Sequence, residues 1–155
     1  MRLLLVGEDR EREERLAKCL HAQGHVCIGA EWMAACEDLD TLTQTDAFIY
    51  APTIGSDDAV LTSARVDGVT RGTYRLITQA LDAGVRRFVL LSSLSMFAAY
   101  SPDCWVDEGW RPRPQPNAQM LPWLAERSLR ELVRGTDARA TCIRLSSVIP
   151  DDEVV

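Results

Sequence analysis

Ser92 ends the most strand-like run in the chain, residues 87–92, Ser93 comes next, and Tyr100 follows a few positions later. A hydroxyl and a phenol can together move a proton to or from a substrate, provided that a cation lowers the phenol's pKa toward the working pH. The chain holds 17 basic residues, but Lys18 is the only lysine among them. Arginine does not replace an amine in that role, because its guanidinium stays charged and has a different shape. With no cation on its own segment, Tyr100 reads as a packing residue rather than an acid.

The turn after residues 3–6 is the second place where chemistry is conceivable. Gly7 lets a backbone come close to a phosphate at the start of a following helix. Glu8, Asp9, Glu11, Glu13 and Glu14 crowd the same turns, and carboxylates there complement the helix dipole themselves and repel a phosphate. The segment reads as a solvated helix start with Asp9 as N-cap. Arg10, Arg12 and Arg15 alternate with the carboxylates at i,i+3 and i,i+4 spacing, which predicts surface ion pairs rather than an anion site. The five cysteines (Cys19, Cys27, Cys36, Cys104 and Cys142) are odd in number, widely spaced and without a CxxC pair. That pattern fits neither a disulfide framework nor a zinc site, and reduced, mostly buried thiols are expected.

These residues need elements to hold them. Residues 3–6 form a short unbroken apolar run, the mark of a strand covered on both faces, and Leu16, Ala17 and Leu20 follow at helical spacing. Gly24 ends that helix, and residues 25–30 read as a second strand. Residues 31–45 are weakly helical, and 47–50 form a third strand before Pro52. A long helical pattern over 57–83 closes at Gly84. Residues 101–120 are irregular and hold Trp105, Trp110, Arg111 and Arg113, and a loop of that length is usually functional. Pro122 suits the first turn of a helix carrying Trp123, which Gly135 closes, and 140–145 is the last strand. Alternating strands and helices predict one α/β domain over residues 1–155: a doubly wound parallel sheet of about five strands in three α/β/α layers, its usual edge strand missing or vestigial.

A chain of 155 residues is one domain's worth. The formal charge of -6 argues against nucleic acid, which draws on a basic patch. No apolar stretch is long enough for a signal peptide or a membrane span, so a cytoplasmic protein is expected.

The segment with Gly72, Thr73, Gly84, Val85, Phe88 and Ser92-Ser93, then Met96, Phe97 and Ala98, Asp107-Glu108, Pro112, Glu126 and Arg144-Leu145 resembles the extended short-chain dehydrogenases, the NAD-dependent epimerase/dehydratase family. The resemblance covers most of the chain and implies a Rossmann-like fold. It implies a catalytic hydroxyl at Ser93, a tyrosine position at Ala118 and a lysine position at Pro122, neither of which moves a proton. It implies glycine positions at Gly7, Arg10 and Glu13, of which only the first is glycine. In the family the helices matching residues 65–83 and 121–134 form a dimer bundle, which implies a homodimer or a heterodimer with an active paralogue. The family's chains also continue into a substrate-binding domain, and no such domain is expected within 146–155.

The expected function is therefore a non-catalytic, partner-binding, scaffolding or regulatory subunit, with Ser93 as a remnant and no cofactor, or NAD or NADP if any. The alternative is an NAD(P)-dependent epimerase, dehydratase or reductase with an atypical site. A small-nucleotide sensor using a cleft between Gly7, Ala51 and Ser92 is a further possibility. So is a receiver-like domain, although the third strand ends in Tyr50-Ala51-Pro52 without a phosphoacceptor.

Overall fold

An apolar strand whose neighbours lie on both edges has no route to water, and β1 (Arg2–Gly7) is buried from Leu3 to Gly7. The computed structural model describes residues 1–7, 9–31, 39–52, 61–101, 103–115 and 119–146. Beside β1 lie β2 (Val26–Glu31) on one edge and β3 (Ala47–Ala51) on the other, followed outward by β4 (Arg87–Ser93) and β5 (Arg139–Leu145). The five strands run parallel in the order β2-β1-β3-β4-β5. This is the expected doubly wound sheet, with β2 as its edge among the described residues.

The side chains of β1 divide by parity, as a pleated strand requires. Leu4 and Val6 join Phe48, Tyr50, Phe88 and Leu90 on one face. Leu3 and Leu5 join Ala47 and Ile49 on the other, where Leu16, Ala17 and Leu20 of α1 (Arg10–Ala22) cover them. The first face is covered by α2 (Leu39–Thr43), by α3 (Ser63–Asp67) running through a wide π-helical turn, Gly68–Gly72, into α4 (Thr73–Asp82), and by α5 (Met120–Val133). Three layers result.

Local chemistry sets the ends of these elements. The Asp9 carboxylate accepts from the Arg12 N–H at 3.2 Å, as expected of an N-cap. The chain turns out of α1 and α4 at Gly24 (φ 81°) and Gly84 (φ 94°), left-handed conformations that a side chain disfavours. The helix read over 57–83 starts later than its apolar pattern suggests. Residues 53–60 lie outside the described residues, and Thr62 stays extended while its hydroxyl caps Arg65 N at 3.3 Å. Apolar spacing marks a face, whereas a cap marks an end.

The cysteines depart from expectation. Cys19 and Cys104 are exposed, and Cys27 and Cys142 are half-buried. Cys19 falls on the outer side of α1, whose inner side is taken by Leu16, Ala17 and Leu20. Cys36 lies outside the described residues. No helix among the described residues is long and apolar enough to cross a membrane.

The outer strand β5 alternates between half-buried and exposed along its length. Ala140 and Cys142 pack toward the core, while Ile143 and Leu145 are exposed at 43% and 36%. Leu90, central in β4, has no exposure at all. Leu90→Ala should therefore cost about 2–5 kcal/mol, because the buried site cannot collapse fully around the missing atoms. Urea unfolding of the two proteins checks it.

Candidate functional site

In a doubly wound sheet the crevice opens where neighbouring strands send their connections to opposite faces. Here that point lies between β1, followed by α1 on one face, and β3, followed by α3 and α4 on the other. Gly7 and Ala51, the last residues of these two strands, pair in register across it. On its other side Gly7 pairs with Glu31, the last residue of β2.

Gly7 has no room for a side chain. A Cβ there would lie 2.7 Å from the Ala51 carbonyl oxygen and would collide with Glu13 Oε1. The first collision is with backbone and does not yield, and the second is with the end of a flexible side chain. Glu13 Oε1 is shielded from solvent. The Glu13 carboxylate thus rests over the β1–α1 turn, where a dinucleotide fold seats its diphosphate. The Gly7 backbone fits a nicotinamide coenzyme, and Glu13 as it stands does not.

The arginines of α1 pair with other carboxylates on the surface. Arg10 is exposed and pairs with Glu14 at 3.3 Å, Arg12 lies 3.5 Å from Asp9, and Arg15 pairs with Glu11 at 2.6 Å. Surface pairing was the expectation for all three.

Ser92 belongs to the opposite side of the sheet, under α5. It is buried, stands in register with Arg144, and its hydroxyl reaches toward Glu126 without completing a well-aligned hydrogen bond. Ser93 is also buried, and its Oγ accepts from the Ser95 N–H at 3.0 Å, capping the short 3-10 turn Leu94–Phe97. An accepting hydroxyl keeps its own proton for donation. Pro122, at the lysine position of the resemblance, is buried in the first turn of α5. Ala118, at the tyrosine position, lies outside the described residues. Lys18 is exposed on α1.

Tyr100 packs, as its sequence context suggests. Its hydroxyl donates to the Arg111 carbonyl at 2.8 Å, and the Trp110 ring meets it edge-on at 4.9 Å. The loop nevertheless folds a cation back onto it, since the Arg113 guanidinium lies 4.9 Å above the Tyr100 ring. The expectation concerned only Tyr100's own segment, and this cation comes from the loop that follows it. Trp105, in contrast, is 94% exposed.

The strongest polar contact of the region is one that sequence reasoning left unpaired. The Arg144 guanidinium donates twice to the Glu126 carboxylate, at 2.8 Å for each bond. It also lies 5.1 Å from the centre of the Phe97 ring. Burial acts to raise the Glu126 pKa, but the hydrogen bonds from Arg144, the nearby Ser92 hydroxyl and the charges of Arg144 and Arg130 prevail and hold it below its ordinary value. The same pairing pushes Arg144 upward. The signal was present in the parity: Glu126 sits in the apolar stripe between Ala125 and Leu129, and Arg144 shares the inward side with Ala140 and Cys142.

Comparison with solved structures agrees with this fold. The chain is similar to a short-chain dehydrogenase/reductase superfamily protein from Agrobacterium tumefaciens with bound NAD, at 23% identity over 92% of this chain and 48% of that one, with a TM-score of 0.66. It is similar to a mutated uronate dehydrogenase at 18% identity over 92% of this chain and 57% of that one, TM-score 0.72. A UDP-glucose 4-epimerase from Thermotoga maritima matches at 14% identity over 93% of this chain and 55% of that one, TM-score 0.69. The chain is a Rossmann-like domain. It spans about half the length of these solved chains. No protein-family model matches this Rossmann-like domain, and no curated protein does.

Two substitutions test the geometry. Gly7→Ala should destabilise the fold by about 1–3 kcal/mol through overpacking against the Ala51 carbonyl. Glu126→Ala should cost about 3–5 kcal/mol by leaving the Arg144 guanidinium buried without its partner. Because the folded pKa of Glu126 is depressed from its ordinary 4.5, its contribution is full above that value and fades as pH falls through the lower folded one. Chemical unfolding at a series of pH values should therefore show wild type and Glu126→Gln converging in acid.

Proposed function

We propose that this chain is an NAD(P)-linked Rossmann protein of the epimerase, dehydratase or reductase kind with an atypical site. The observation that carries this reading is the β1 terminus: Gly7 admits no Cβ against the Ala51 backbone, and Glu31 ends the neighbouring strand in register with it. A close backbone approach after the first strand and a carboxylate at the end of the second are what a dinucleotide fold uses for the diphosphate and the ribose hydroxyls. A carboxylate at that second place favours NAD over NADP, whose ribose phosphate it would repel. The dehydrogenases and epimerase to which the chain is similar support the same reading.

Bound there, a nicotinamide ring supplies hydride chemistry. Among the chain's own groups, Ser93 keeps a hydroxyl proton to offer a substrate, while Pro122 offers no cation. The amine that would tune a phenolic acid comes from elsewhere or is not used.

A second reading is a non-catalytic subunit that binds a partner, as scaffold or regulator. The buried Pro122 and the placement of the only lysine on α1 favour it. Such a subunit would dimerise, with itself or with an active paralogue, through the outer sides of α4 and α5, where Tyr74 is exposed. The inner sides, Leu76, Ile77, Ala80, Leu121, Ala125 and Leu129, are spent on the core.

Isothermal titration with NAD+, NADH, NADP+ and NADPH separates the two readings. Saturable binding with preference for the unphosphorylated coenzyme is the expected result. Heat of dilution alone, with all four ligands at millimolar concentration and in a folded Glu13→Ala variant as well as the wild type, would remove the first reading and leave the second.

A further inference from the structure

We infer that Glu13 is a built-in occupant of the anion seat at the β1–α1 turn, so that a nucleotide diphosphate enters only by displacing this carboxylate. The inference rests on the coenzyme reading above and concerns the regulation of that same site.

The seat has one fixed wall and one movable one. The fixed wall is the backbone: Gly7 and the Ala51 carbonyl, which leave no room for a Cβ between them. The movable wall is the Glu13 side chain, whose Oε1 and Cδ lie over the same point and whose Oε1 is shielded from water. Glu13 stands one turn inside α1, which begins at Arg10, so its carboxylate lies within reach of the positive end of the helix dipole. A phosphate would be drawn to the start of the helix by the same positive end. Asp9 already accepts from Arg12 N, so the first turn is supplied with negative charge by the chain itself.

Arg10, Arg12 and Arg15 do not offset this toward a ligand. Each is directed at another carboxylate on the surface, Glu14, Asp9 and Glu11 respectively. An incoming diphosphate therefore meets a carboxylate in its place. A neutral nucleoside carries no group for that seat and does not meet Glu13 there. The plug should discriminate by charge: strongly against diphosphates, and hardly at all against nucleosides. Removing it requires the Glu13 side chain to move, while the backbone wall at Gly7 and Ala51 stays where it is.

The test is calorimetric titration of wild type, Glu13→Ala and Glu13→Gln with NAD+, ADP and adenosine, with far-UV dichroism and melting to verify that each variant is folded. Alanine keeps helix propensity, and glutamine keeps the volume while removing the charge. The expected result is tightening of NAD+ and ADP by about tenfold or more in Glu13→Ala, a smaller gain in Glu13→Gln, and adenosine unchanged within about twofold. If Glu13→Ala does not fold, a gain for the diphosphates alone in Glu13→Gln still decides for the plug. Equal NAD+ affinity in wild type and in the folded variants overturns the plug and leaves the coenzyme reading standing. Absence of any nucleotide binding in all three proteins overturns both.

Discussion

A parallel sheet must be covered on both faces, because its strands are joined only by crossover elements that lie above and below it. The fold of this chain follows from that constraint. β1 sits between β2 and β3 and is buried on both faces, α1 covering one and α2 to α5 lying on the other. The gap this creates at the carboxyl ends of β1 and β3 is the one crevice that the topology itself demands. Gly7 and Ala51 face each other there because they are register partners. The site comes from chain routing, and side chains only decide what it admits.

What they decide is unusual for this architecture. The glycine that permits close approach is kept, but a glutamate one turn into α1 takes the space above it. The opposite face of the sheet is held by a different electrostatic device. Glu126 and Arg144 meet under α5 through two 2.8 Å bonds, Ser92 lies beside them, and Phe97 lies next to the guanidinium. A buried charge pair of this geometry adds little net stability compared with apolar packing, but it is costly to break. Its effect is to set where α5 lies against β4 and β5. The turn carrying Ser93 and Phe97 is thereby placed as well.

The uneven covering of the sheet is a consequence of the same routing. Among the described residues, α1 is the helix that serves the face of Leu3, Leu5, Ala47 and Ile49. It reaches Val89 and Leu91 only partly and leaves Ile143 and Leu145 of β5 exposed. The chain spans about half the length of the solved structures that share its fold.

The five strands, the helices α1 and α5, the Asp9 cap and the glycine turns were legible in the residues, because each depends on neighbours within a few positions: apolar periodicity, a carboxylate before a helix, a glycine after it. The outward pairing of Arg10, Arg12 and Arg15 was legible for the same reason, as i,i+3 and i,i+4 contacts are set by helix geometry alone. The tertiary structure alone determined that Glu13 covers Gly7, that Glu126 meets Arg144 across 18 positions, that Arg113 returns to Tyr100, and that Ser92 faces α5 rather than the crevice. Each of these depends on how one element is rotated or shifted against another. That placement is set by the sum of many weak packing contacts distributed over the whole chain, and no short window of sequence contains it.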